Sequence, residues 1–409
     1  MFATLTLLAV ILAAYLLAHV VFERLQNRFL LTTGGEYILL GVLIGPNVPW
    51  QPLISSETLS QLHPILALAI GWLGLLCGMQ FDVRRLLSDT TGAPRVAFVQ
   101  GLVVFGGVGA LTWMVFGTGW PVSLSEADRA MAAVAFGATA AVSNESTVGL
   151  VRRQIAAKGT LTNLLGRTQH LDEAVGLLAF GLLFCFFHPT SSSLERPLTP
   201  TEWFAVTIAI GIALGYLFAI FLGDESDDDK LFLALVGIIV FAAGMAQHLR
   251  LSSLVVNFVL GAALANASGH GDRLRGVLTR TRQPMTLLLL IFAGAMWSGM
   301  ATYELTLAAG YVVVRLAAKM FGGALGAVAA GPVIRPDVGR GLLGHGELAV
   351  AMAINLRLVY AAPFVRWVYG AVLISVLLSE LWGARSLRAL LLDAGEVRHG
   401  RTSTSEEAR

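Results

Sequence analysis

Apolar residues run in long stretches along this chain, and most charged residues fall between them. FAVTIAIGIALGYLFAIFL (204–222) shows neither the alternation of a half-buried strand nor the single stripe of a soluble helix. A helix needs roughly 20 apolar residues to cross a bilayer. The runs predict thirteen crossings, at about 4–21, 35–47, 62–79, 94–117, 129–152, 163–188, 202–222, 230–247, 252–267, 283–299, 303–330, 341–360 and 363–384. The first lacks a basic leader segment and a clear cleavage site, so it reads as a span.

Composition agrees with this pattern. Of 409 residues, 56% are hydrophobic and 13% charged, against about 25% charged in an ordinary soluble domain. Mean hydropathy is +0.73. This excludes a soluble enzyme, a disordered chain and a nucleic-acid-binding domain. The fold class is an all-α polytopic membrane protein. Net charge is +2, so no polyanionic partner is demanded. Cys77 and Cys185 sit in apolar runs without metal-ligand spacing and read as small buried hydrophobes. No cofactor is implied. Motifs of intramembrane proteases, serine hydrolases and P-loops are missing, and His345 and Glu347 are two apart, which is not helix-face metal spacing.

Lys and Arg fix the expected orientation. The odd-numbered connections hold sixteen: Arg24 and Arg28; Arg84, Arg85 and Arg95; Arg152, Arg153, Lys158 and Arg167; Lys230; Arg273, Arg275, Arg280 and Arg282; Arg335 and Arg340. The even-numbered ones hold four: Arg129, Arg196, Arg250 and Arg366. An outside N-terminus and a cytoplasmic C-terminus follow, in a membrane read as a bacterial inner (plasma) membrane. The acidic stretch GDESDDDK, after the seventh span, reads as a solvated linker. Spans one to six can then match spans eight to thirteen as inverted repeats. The expected units are repeat one at about 1–190, a linker helix at about 200–223, repeat two at about 230–390 and a short disordered tail at 391–409.

Charges inside the hydrocarbon cost roughly 2.5–3.5 kcal/mol on insertion scales, so intramembrane ionisable residues point to function. Asp172 and Glu173 lie in span six; adjacent helix positions are about 100° apart, so the two face different neighbours. The bland alternative is a pair of acids stabilising a helix start. Ser143, Asn144, Glu145, Ser146 and Thr147 interrupt span five, and a break there supplies carbonyls and hydroxyls, hard donors for an alkali cation. Arg315 and Lys319 in span eleven are four apart and share a face; either can pair with the span-six acids, or snorkel. Glu347 follows Gly341, Gly344 and Gly346 in span twelve, where it compensates helix dipoles at a second break or simply caps a helix at the membrane edge. His170, close to the acids, is a possible pH element or a structural histidine. Gly34 to Gly45 and Gly322, Gly323 and Gly326 have spacing suited to close helix contact.

These motifs together resemble the monovalent cation/proton antiporter superfamily, with its sodium/proton exchanger-like fold. TTGGEYILLGVLIGP is similar to its glycine-rich early span, SNEST to its unwound crossing helix, LDEAVGLL to its paired-acid motif, RLAAK to its basic span and GHGELA to its second crossing helix. The resemblance implies a homodimer with a dimerisation domain and a moving core domain. It implies elevator-like exchange of Na⁺ or K⁺ for H⁺. By position, Asp172 takes the first acid place and Glu173 the ion-binding one, with Lys319 or Arg315 paired to Asp172. Ser143, Asn144, Glu145 and Thr147 would contribute to the ion and proton site. Two features depart from the pattern: Glu173 stands where the family has Asp, and Asn144-Glu145 replaces an Asp-Pro pair. A register shift of one would make Asp172 the ligand. The other readings are a channel, a non-transporting ion sensor on the same scaffold, or an anion symporter.

Overall fold

Every apolar run from the second onward folds as a helix or as a broken pair of elements in the structure, a computed structural model. It describes residues 34–48, 52–189, 197–222, 225, 227–267 and 271–396. The expected first span, at 4–21, and the tail beyond residue 396 lie outside the described residues.

Sixteen α-helices and one 3-10 helix, with no strand, occur among the described residues. In order they are α1 (Gly35–Ile44), α2 (Ser56–Gln61), α3 (His63–Gly78), α4 (Val83–Leu87), α5 (Ala93–Gly117), α6 (Glu126–Ala141), α7 (Glu145–Gln154) and α8 (Thr160–Phe186). Then follow α9 (Pro200–Leu222), α10 (Asp228–His248), α11 (Ser253–Ala267), α12 (Gly271–Thr279), α13 (Arg282–Ala295), α14 (Thr302–Ala330), the 3-10 helix Pro336–Gly341, α15 (Glu347–Val359) and α16 (Pro363–Asp393). Six of them, α5, α8, α9, α10, α14 and α16, are long and apolar enough to cross a membrane. Four shorter apolar helices, α1, α3, α11 and α13, match the remaining unbroken runs.

Local chemistry sets the ends. Ser125 caps α6 by accepting from Asp128 N, and Asp227 caps α10 by accepting from Asp229 N. Proline stands in the first turn of α3, α5 and α16, where its missing N–H costs nothing. α1 ends at Gly45-Pro46, with Gly45 extended as a residue before proline prefers. The last helix runs to Asp393, beyond residue 390.

The helices pack in two groups. In one, α11 lies against α3, α9 and α10, while α13 lies against α1 and α3. In the other, α5, α6, α8, α14 and α16 surround the two broken elements. Glycine brings the first group together. A Cβ on Gly74 or Gly78 would overlap the carbonyl oxygen of Leu254 or Phe258, so α3 and α11 touch backbone to backbone. Gly41 and Gly294 do the same where α1 crosses α13. In the second group, Gly322 and Gly326 seat α14 against the backbone of α5 at Gln100 and Val96. That contact places Gln100 beside Lys319, which matters below.

Candidate functional site

Span five is broken as expected. α6 stops at Ala141, Val142 is extended, and Asn144 restarts the chain as the cap of α7 by accepting from Ser146 N at 3.0 Å. Span twelve breaks too, but its first half lies earlier than 341–360: it is the 3-10 helix Pro336–Gly341, and non-helical residues lead from it to Glu347 at the start of α15. The two breaks meet. Arg315 from α14 donates to Ala140 O (3.2 Å) and Val142 O (2.8 Å) on one side, and to Leu343 O (2.9 Å) and Gly344 O (2.9 Å) on the other. Carbonyls freed at a helix end need donors, and a helix C-terminus favours a cation.

Asp172 lies in the middle of α8 and is fully buried. Its Oδ2 pairs with Lys319 Nζ at 3.1 Å and accepts the Ser143 hydroxyl at 2.6 Å; its Oδ1 accepts Ser143 N at 3.2 Å. The Gln100 amide, turned to suit its neighbours, donates to Asp172 Oδ2 at 3.0 Å and accepts from Lys319 Nζ at 2.9 Å. Lys319 also donates to Ser143 Oγ at 2.7 Å and to Ala141 O. At an effective dielectric near 20 and 4 Å, such a pair attracts by roughly 4 kcal/mol, and desolvation offsets much of it. Arg315 and Lys319, equal candidates on sequence, therefore separate. Lys319 neutralises Asp172, whereas Arg315 makes no hydrogen bond to either acid and serves the broken backbone.

Glu173, one residue on, faces elsewhere. It is 6% exposed, and its one hydrogen bond among the described residues comes from the Cys77 thiol at 4.0 Å. Cys77 is free and buried, as expected, and its thiol faces this carboxylate. The ligand atoms of Glu173, Glu145 and His170 all lie within 4.8 Å of one another. Glu145 accepts from Gln80 Nε2 (3.2 Å) and Arg282 Nη1 (3.3 Å). Arg282 Nη2 reaches Glu347 at 2.8 Å, so one guanidinium joins the first residues of α7 and α15. Thr147 and Asn144 are buried, and both press on Gly344. A cavity of about 400 Å³, lined by Glu145, His170, Thr162, Asn163, Arg152 and Arg167, opens beside this cluster.

The nine sequence candidates thus fall into two adjoining sets. Ser143, Asp172 and Lys319 form one; Glu145, Glu173 and Glu347 belong to the other, with Asn144 and Thr147 packed at the break and Arg315 holding it. Sequence reading missed Gln100 and Arg282. Gln100 was legible as the lone amide inside an apolar run; Arg282 was hidden among the basic residues of a connection.

A family model described as "Sodium/hydrogen exchanger, transmembrane" matches residues 4–390. The fold is similar to that of the sodium proton antiporter MjNhaP1 from Methanocaldococcus jannaschii at pH 8, with a TM-score of 0.69 at 14% identity, covering 96% of this chain and 98% of that one. A second structure of the same antiporter, from electron microscopy, gives 0.67 at 14% identity over 97% and 99%. No curated protein sequence matches the chain.

Proposed function

The chain belongs to the sodium/hydrogen exchanger family, and on that premise we propose that it is a secondary active antiporter. It exchanges a monovalent cation, Na⁺ or K⁺, for H⁺ by elevator-like alternating access. The observation that carries this reading is the unequal treatment of two neighbouring buried carboxylates. Asp172 has its charge met by Lys319, while Glu173 has a single weak donor and adjoins Glu145 and His170, which line a cavity. A carboxylate held with so few donors in low dielectric needs a counter-cation, and a proton or an alkali ion meets that need equally. Competition for one oxygen pair is what couples the two fluxes.

In this reading Glu173 takes the cation, Glu145 adds oxygen, and Asn144 and Thr147 shape the site at the break. Lys319 covers Asp172 in one state and releases it in another. Arg282, on α13, is a tethered cation between Glu145 and Glu347 and competes with the mobile one. The helix group around α5, α6, α8, α14 and α16 is the moving core, and the group around α3 and α11 is the dimerisation scaffold of a homodimer. The Arg-rich side is cytoplasmic, in a bacterial plasma membrane with the N-terminus outside, and the cavity at Glu145 faces inward.

The test is reconstituted transport. A preset pH gradient in proteoliposomes collapses on adding Na⁺ or K⁺ to the wild type. Unchanged exchange in both Glu173→Gln and Asp172→Asn would remove the site assignment. Ion flux without saturable counterflow would indicate a channel, and cation binding without flux a sensor.

A further inference from the structure

The cluster at Glu173 contains more than an alkali ion requires. Alkali cations are held by oxygen alone, yet His170 presents a ring nitrogen here and Cys77 a sulfur. His170 and Glu173 are three apart on α8, so they share one helix face; Glu145 meets them from α7. His170 Nδ1 is buried, makes no hydrogen bond among the described residues, and lies 3.5 Å from Glu145 Oε2. Glu173 is itself more than nine-tenths buried and turned into the same space.

We propose that Glu145, His170 and Glu173 form a binding site for a first-row divalent transition cation of the Zn²⁺ or Co²⁺ class. Imidazole nitrogen and carboxylate oxygen are both zinc donors, and zinc sites with three protein ligands keep a fourth position open. Zinc bonds of about 2.0–2.2 Å put tetrahedral ligand atoms about 3.3 Å apart. The three donor atoms already lie within 4.8 Å of one another, so each pair needs to close by no more than about 1.5 Å. Two carboxylates binding as anions supply two negative charges, which a dication balances and the guanidinium of Arg282, shared with Glu347, does not. Metal binding therefore displaces Arg282 from Glu145. The Cys77 thiol, 4.0 Å from Glu173 on α3, is placed to fill the open position. A metal taking it would link the two helix groups.

This inference shares Glu145 and Glu173 with the exchange reading without resting on it, because metal binding is read without transport. The experiment titrates Co²⁺ into the purified, tag-free full chain in detergent and follows the ligand-field absorption of the metal. One equivalent binds saturably, with the d–d bands of a low-coordinate site and, from Cys77 in the fourth position, thiolate-to-cobalt charge transfer in the near ultraviolet. His170→Gln and Glu145→Gln each weaken binding by at least about tenfold. Absence of saturable binding to the wild type, or equal affinity in both variants, overturns the proposal. Metal-free exchange in proteoliposomes, measured on the same wild-type preparation, reports separately on the antiporter reading.

Discussion

Asp172 and Glu173 are sequence neighbours in one helix, yet they occupy opposite chemical situations. Asp172 receives a lysine, a hydroxyl, a backbone N–H and an amide, all inside the core. Among the described residues Glu173 receives one thiol at 4.0 Å, and it lies next to two more ionisable side chains that line a cavity. A 100° turn of α8 separates structure from chemistry. The first carboxylate holds elements together, and the second is left needing a partner.

The sharpest way to break this contrast is Glu173→Gln. Exchange should fall to the background of empty liposomes, measured by the pH change that follows cation addition. Normal exchange would make Glu173 a packing residue. Next in size is the buried pair. Removing one partner leaves an uncompensated charge, which costs about 3–5 kcal/mol in measured cases. Asp172→Asn and Lys319→Met should therefore each lower the midpoint of thermal unfolding in detergent strongly, and the double variant should recover much of the loss. If the double variant loses the sum of both singles, the pair is not acting as a unit. Gln100→Leu is milder, about 1–3 kcal/mol for the hydrogen bonds lost to Asp172 and Lys319, read in the same melting assay.

Arg282→Gln tests the other half of the comparison. With the tethered cation gone from Glu145 and Glu347, the cation concentration for half-maximal exchange should drop several-fold, about 1 kcal/mol for this partly exposed contact. A rise instead would mean that Arg282 only positions the carboxylates. The smallest effect belongs to Asp89, in the connection before α5. Burial pushes its carboxyl up, but hydrogen bonds from Thr91 and Arg167 outweigh this and hold it below its usual value. Its stabilising contribution is therefore complete above the unfolded carboxylate range and is lost as pH falls through the lowered folded value. Asp89→Asn should flatten stability against pH in that acidic window by less than about 1 kcal/mol, a difference seen by comparing melting curves near neutral and at low pH.

Most of the architecture was legible because hydrocarbon leaves few choices: a long apolar run must be a helix. The span-five break was legible for the same reason, since five polar residues in a row cannot sit in lipid. The second break, between Gly341 and Glu347, was legible in its glycines, but the start of that span was placed too late, because the short helix Pro336–Gly341 carries Asp337 and Arg340 and so looks like a connection. The choice between Lys319 and Arg315 was not legible, because both lie on one helix face and only the backbone they meet separates them. His170 was visible beside the acids, but counting Glu173 as the neighbour of Asp172 obscured its other relation, three residues on from His170.

Arg315 carries one more consequence. Four carbonyl oxygens, two from each interruption, converge on a single planar guanidinium borne by a third helix. Neither gap can widen or reseal alone without stranding that group in oil. The knot therefore holds together as one body, and in the proposed elevator exchange α14 is part of the piston.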